Sequence, residues 1–349
     1  MPRQSVARRP MFGEAAAATG QLTVEQLEEC LGLQELRRRD GAEVKIGEVL
    51  IERGYLTQVQ VHLLLNVQRG VKTRLDVGGF EIIAKLGRGG MSTVYKARDL
   101  TAGRLVALKI MPPKAAENRA MLERFRREAR AAMLLDHPNI VKGLTSGEDQ
   151  GFHYYAMEYV RGRSLMRLIH KEGRLPEHRA IYITRQVADA LNYSEALGIL
   201  HRDIKPDNLL VHEDDFVKVT DFGLSRFVTG DDTMLTLPGT AVGTPYYMSP
   251  EQARGDSDID TRSDLYSLGA TFYEMLTGDP PHPGPSVALI LAQHLTAIPP
   301  DPRTVSPDLS DAVCRLVASL LAKERGERPA SPAVLMFELD ALLNERSDS

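Results

Sequence analysis

The sequence predicts an α+β protein with a small β-rich lobe and a large helical lobe, preceded by a small all-α repeat module. Three observations carry that expectation. Residues 12–34 and 46–68 repeat at a constant offset of 34 positions. From Phe80 the pattern becomes apolar and β-branched alternation broken by glycine. From Pro176 and Glu177 a long amphipathic helical stretch runs to Leu200. The expected boundaries are 1–72 for the module, 73–79 for a linker, 80–160 for the small lobe, 161–342 for the large lobe and 343–349 for a tail.

Composition narrows the function classes. The chain has 349 residues, 43% of them hydrophobic, enough for two or three domains with real cores. A net charge of -4 gives no bulk basicity for nucleic acid or an anionic membrane, so neither is an expected partner. Cys30 and Cys314 are far apart and lack metal-ligand spacing, which argues against a disulfide framework or a zinc site. Arg3, Arg8 and Arg9 precede an alanine run at Ala15–Ala18, but Glu14 and the brevity of the run do not fit a signal peptide. No window nears the ~18 to 20 apolar residues of a membrane span. A cytoplasmic protein is expected.

In the repeat, Gly13 matches Gly47, Leu22 matches Leu56, Thr23 matches Thr57 and Gln26 matches Gln60. Each copy reads as a short helix ended by Gly20 or Gly54, then an apolar residue, then a threonine N-cap with glutamine at the capping-box position. Two helical hairpins should pack on each other through Leu27, Leu31, Val61 and Leu65. The second copy, KIGEVLIERGYLTQVQVHLLLNVQ, resembles repeats in the N-terminal domains of type II secretion and pilus assembly ATPases. Some members of that family bind cyclic di-GMP through an arginine before the apolar-Gly pair; here Met11 and Lys45 stand there. The module reads as a docking or dimerisation unit, with a cyclic dinucleotide sensor as the alternative.

The segment FEIIAKLGRGGMSTVYKARD reads as strand, glycine turn and strand, in which Gly87 and Gly89 let backbone amides approach a polyphosphate and Val94 can cover an adenine ring. The next strand, RLVALKIM, holds Lys109 alone in an apolar run, so its ammonium needs an anion. In the helix MLERFRREARAAMLL, the stripe through Leu122, Phe125, Ala129, Ala132 and Met133 puts Glu128 on the inward face and turns Glu123 outward. Further on, HRDIKPDN at 201–208, DFG at 221–223 and SPE at 249–251 follow in order. They supply a carboxylate for a hydroxyl proton at Asp203 and oxygen ligands for a hard cation at Asn208 and Asp221.

This ordered set resembles bacterial Hanks-type Ser/Thr protein kinases over residues 80 to about 342. The resemblance implies a bilobal protein kinase fold and transfer of the γ-phosphoryl of ATP to protein serine or threonine, with Mg²⁺ as the metal and Mn²⁺ as an acceptable substitute. Asp203 would be the base, Lys205 would neutralise the transferring phosphoryl, and Lys109 would pair with Glu128 while holding the α- and β-phosphates. Asn208 and Asp221 would hold the metal. Leu86, Gly87, Gly89, Ser92 (in place of a third glycine), Val94, Ala107, Met157 as gatekeeper, Glu158, Val160 and Leu210 would line the nucleotide site. His201 would pack on Phe222, Glu251 would pair with Arg328, and Asp264 would anchor the catalytic-loop backbone.

Arg202 before the base implies activation by an anion, commonly a phosphothreonine. Thr233, Thr236 and Thr240 are the better phosphorylation candidates among the segment's threonines, Thr244 being implied to shape the substrate site. Two rivals are a pseudokinase scaffold, against which all five of Lys109, Glu128, Asp203, Asn208 and Asp221 stand, and a ligand-gated adaptor acting through the repeats.

Overall fold

The structure, a computed structural model, describes residues 12–13, 16, 21–68, 76–222 and 245–345. They fall into two compact units, one of the described residues up to Glu117 with 147–154, the other of 118–146 with the described residues from Tyr155 on.

The first unit opens with helices α1 (Val24–Arg39), α2 (Ile46–Glu52) and α3 (Gln58–Gln68). Both capping boxes form: Thr23 accepts from the Gln26 amide while Gln26 Oε1 accepts from the Thr23 amide, and Thr57 and Gln60 do the same. The duplication is visible in packing. A Cβ on Gly13 would stand 2.8 Å from a Leu27 methyl, and one on Gly47 would stand 2.9 Å from a Val61 methyl, equivalent pairs at the 34-residue offset. Gly54 adopts φ +74°, ending the second copy's short helix as expected.

The expected seam needs one correction. Leu31 is 46% exposed, and Cys30, 100° round the same helix, takes the inward position. Helix α3 buries Val59, Gln60, Leu63, Leu64 and Asn66. That face is wider than a hairpin partner alone would cover, because α3 also meets the sheet.

The sheet has six strands in the order β1-β2-β3-β4-β6-β5. Its ribbons are β1 (Asp76–Val77), β2 (Phe80–Arg88), β3 (Thr93–Asp99), β4 (Leu105–Met111), β5 (Gly143–Asp149) and β6 (Phe152–Glu158). The alternation of residues 80–111 is what forms it: β3 buries Thr93, Tyr95 and Ala97 in strict period two. β4 turns from β3 through Asp99, whose carboxylate accepts from the Thr101 and Ala102 amides at 2.9 and 3.0 Å.

The second unit is mostly helical. After a single-turn helix α4 (Pro113–Ala116) that belongs to the first unit, α5 (Arg119–Leu134) begins at the Asn118 N-cap. Helices α6 (Leu165–Glu172), α7 (Glu177–Ala196), α8 (Pro250–Arg254), α9 (Thr261–Thr277), α10 (Val287–Thr296), α11 (Asp311–Leu320) and α12 (Pro332–Glu345) follow. A three-stranded sheet β7-β8-β9 lies among them, built from Arg163–Ser164, Leu209–Val211 and Val217–Val219.

The long stretch expected to reach Leu200 ends at Ala196 because Gly198 takes φ +71°. Helix α9 is buried at every position except Arg262, so it is the spine of this core. The hydroxyls of Thr271 and Thr277 are satisfied within the helix, Thr271 Oγ1 donating to Ser267 O at 3.0 Å and Thr277 Oγ1 to Tyr273 O at 2.9 Å. Among the described residues no helix is long and apolar enough to cross a membrane.

Candidate active site

In the first unit, the β2–β3 hairpin pairs Gly87 with Val94 and Arg88 with Thr93. The Gly89 amide donates to Ser92 O at 2.8 Å, closing the turn. A Cβ at Gly87 would meet nothing within 4 Å, so no packing inside the protein demands glycine there. The bare backbone leaves room for a ligand to approach the amides. Register places Val94 directly opposite Lys109, so both project from one sheet face, with Ala107 two residues back along β4 on the same face. Lys109 is 6% exposed, Ser92 is buried, and Leu86 stands exposed beside the bulge between Lys85 and Gly87.

In the second unit, the stripe in α5 works as expected. Glu128 is 1% exposed, while Glu123 sits at the surface with Arg126. The sequence reading missed its neighbour: the buried Tyr155 hydroxyl donates to Glu128 Oε1. Burial, then the adjacent Glu128 carboxylate, pushes the Tyr155 phenol well above its ordinary range, so it stays a donor. Its signal was a tyrosine two residues before Met157 in a strand whose buried positions are otherwise apolar.

Met157 is 6% exposed at the end of β6. A cavity of only about 10 Å³ lies behind it, bounded by Glu128, Tyr155, Asp221 and Phe222. The Glu158 amide is spent on Lys142 O at 2.9 Å and its carboxylate on Lys218 Nζ at 2.6 Å. The Glu158 amide is therefore not available to a ligand in this structure. Leu210, half-buried on β8, pairs with Ser164 and Lys218.

The catalytic-loop segment is held from below. Asp264, in the first turn of α9 and 1% exposed, accepts from the His201 amide at 2.8 Å and the Arg202 amide at 2.6 Å. Burial pushes its carboxyl upward, against the two amides that favour the charged form. Gln252 Nε2 donates to Arg202 O at 2.9 Å, a second prop that the sequence reading did not identify. Arg202 has φ +65° and Asp221 φ +63°, left-handed backbone that non-glycine residues adopt only when their surroundings impose it.

His201 is a packing residue with a defined tautomer. Its Nδ1 accepts from the Asp203 amide at 3.2 Å, so the proton is on Nε2, which donates to Thr220 O at 2.9 Å. Its ring meets Phe222 edge-on at 4.6 Å.

Those supports converge on Asp203. Its Oδ2 accepts from Lys205 Nζ at 2.7 Å and from Asn208 Nδ2 at 3.0 Å, and Asn208 Nδ2 also donates to Asp203 O at 2.8 Å. With the amide nitrogen so engaged, the amide oxygen of Asn208 is the atom that could meet a cation. The Thr220 amide donates to Asn208 O at 2.9 Å, which brings the neighbouring Asp221 alongside. One amide oxygen and one carboxylate are hard oxygen donors of the kind that would suit Mg²⁺. Thr233, Thr236, Thr240, Thr244 and Gly223 lie outside the described residues.

A glycine-turned hairpin beside a sheet-borne lysine in one unit, and an Asp-Lys-Asn loop seated on a buried helix in the other, make up the kinase fold. Residues 80–338 match the family model of the protein kinase domain. The chain is 41% identical over 276 residues to serine/threonine-protein kinase pkn3 of Myxococcus xanthus, covering 76% of this chain and 50% of that protein. It is 40% identical over 264 residues to PknB of Mycobacterium tuberculosis, covering 74% and 42%. Among solved structures, the kinase domain of Mycobacterium tuberculosis PknI aligns with a TM-score of 0.60 at 27% identity, covering 76% of this chain and 97% of that one. The chain spans about half the length of the curated relatives it matches. It belongs to the protein kinase family, whose members use ATP and a divalent cation.

Proposed function

We propose that this chain is a cytoplasmic serine/threonine protein kinase. The observation that carries the reading is the fixed Asp203 carboxylate, with Lys205 and Asn208 both on one oxygen. Asp203 takes the proton of a substrate hydroxyl as its oxygen bonds the γ-phosphorus, and the bond to the β-phosphate oxygen breaks to release ADP. Lys205 offsets charge on the phosphoryl group in flight. Asn208 and Asp221 would hold Mg²⁺, which supplies charge neutralisation along the phosphates. In the first unit Gly87, Gly89 and Ser92 serve the phosphates and Leu86, Val94 and Ala107 the adenine; in the second, Leu210 and the backbone of Glu158 and Val160 serve the adenine. The kinase domain is 80–342 and the repeats of 1–72 are a docking or regulatory module. A second copy of the chain or a protein partner is its favoured ligand, ahead of a cyclic dinucleotide.

Lys109 and Glu128 are expected to behave as one unit. Lys109→Met and Glu128→Gln are each expected to cripple phosphorylation of a generic basic protein by Mg-ATP, and the double variant to be little worse than the poorer single. Additive losses would assign the partner of Lys109 elsewhere. Retained activity in both singles would favour a scaffold.

Arg202 places positive charge next to the base, so incubation with Mg-ATP is expected to phosphorylate one or more of Thr233, Thr236 and Thr240. Mass spectrometry reads this directly. Full activity of a triple Thr→Ala variant with no phosphate detected would show that the segment needs no anion.

A further inference from the structure

Strand β3 has two working faces. Val94 lies opposite Lys109 and shares its face, whereas the next residue, Tyr95, lies opposite Leu108 and projects from the other side. Tyr95 has no exposed surface. Its hydroxyl is 2.6 Å from Thr57 Oγ1, the N-cap oxygen of α3. Thr57 Oγ1 also donates to Gln60 Oε1 at 2.9 Å, which uses its single proton, so Tyr95 must be the donor to Thr57. Gln60 Nε2 in turn donates to Gln21 Oε1 at 2.7 Å. A chain of hydrogen bonds therefore runs from the sheet through the second helical copy to the first. Burial pushes the Tyr95 phenol up to about 12, which keeps it a donor at any physiological pH.

Two further contacts extend along the same helix. Asn66 Nδ2 donates to Gln150 Oε1 at 2.7 Å, and the His62 ring meets Phe152 edge-on at 4.9 Å. The first copy does none of this. In its equivalent capping box Thr23 is exposed and Gln26 half-buried, and its counterparts of His62 and Asn66 are the exposed Glu28 and Gly32. The two copies share a fold, and only the second carries side chains that fit the sheet.

We propose that Thr57 and Tyr95 are positioning residues for ATP: the second helical copy holds β3 from behind, and with it the glycine hairpin and Val94. The proposal rests on the kinase reading, since it assigns the face of β3 that carries Val94 to the nucleotide. It makes the module a part of the nucleotide site rather than an appended domain.

The test uses the full chain, with titration of a fluorescent ATP analogue and steady-state phosphorylation measured in parallel. Tyr95→Phe and Thr57→Val, each losing one hydroxyl at nearly constant shape, are expected to weaken nucleotide binding and raise KM for ATP by roughly 3- to 10-fold, with kcat little changed. Their double variant should be no worse than either single, and Thr57→Ser should restore wild-type affinity. Unchanged nucleotide affinity in folded Tyr95→Phe would overturn the proposal. So would additive losses, or a fall in melting temperature and kcat together without a shift in KM. Because the titration needs no turnover, a wild-type chain that binds nucleotide but transfers no phosphate would sink the kinase reading alone.

Discussion

Asp203→Asn is expected to lower phosphotransfer by about 10²- to 10⁴-fold while leaving Mg-ATP binding near the wild-type level. Asparagine is isosteric, so its oxygen can still accept from Lys205 Nζ and Asn208 Nδ2, as the carboxylate does at 2.7 and 3.0 Å. What disappears is the negative charge that receives the hydroxyl proton. The neighbouring residue gives the contrast. Asp221→Asn removes a charged metal ligand, so it should weaken nucleotide binding in Mg²⁺ and have much less effect on binding measured in EDTA. Parallel binding and turnover measurements separate the two roles. Wild-type turnover in Asp203→Asn, or indistinguishable binding defects in both variants, would remove Asp203 from its assigned place.

The sequence made much of this site legible because each part is encoded in a short, local pattern. The choice of Glu128 over Glu123 followed from helical period, and its burial in α5 matches. The lone lysine of RLVALKIM and the glycine-broken alternation from Phe80 marked the strands and the turn before any partner was known. Capping boxes in the repeats were equally local. What escaped were choices of partner across long sequence separations. Nothing near Glu128 announces Tyr155, and nothing near Thr57 announces Tyr95. The error at Leu31 has the same origin. A helical stripe indicates which residues are apolar, but not which of two adjacent apolar residues on α1 turns inward, and there Cys30 is buried while Leu31 is 46% exposed.

Glu251→Gln is expected to destabilise the large lobe by about 3–5 kcal/mol, because it leaves a buried guanidinium without its counter-charge. Both side chains of the Glu251–Arg328 pair are wholly shielded, with Arg328 Nη1 donating to Glu251 Oε1 at 2.7 Å and Nη2 to Oε2 at 2.9 Å. Arg328 also donates to the carbonyls of Ala322, Arg262 and Lys323, so one residue ties the α11–α12 connection to the start of α9. Asp264, which anchors the catalytic loop, is two residues beyond Arg262. Loosening the pair should therefore cost activity as well as stability, with a fall in melting temperature on the order of 10 °C. Replacing both partners, as in Glu251→Leu with Arg328→Met, should be milder than the single change, since no charge is then stranded. Acid should act on the same pair. Burial alone would raise the Glu251 carboxyl, but the Arg328 guanidinium outweighs it and holds the group below its ordinary 4.5. A depressed folded value means that this contribution is complete above that pH and is lost as the pH falls through the folded value. Urea unfolding of wild type and Glu251→Gln should therefore converge in midpoint as the pH falls below 4.5. A constant gap between them down to strongly acid solution would mean that the charge of Glu251 contributes nothing.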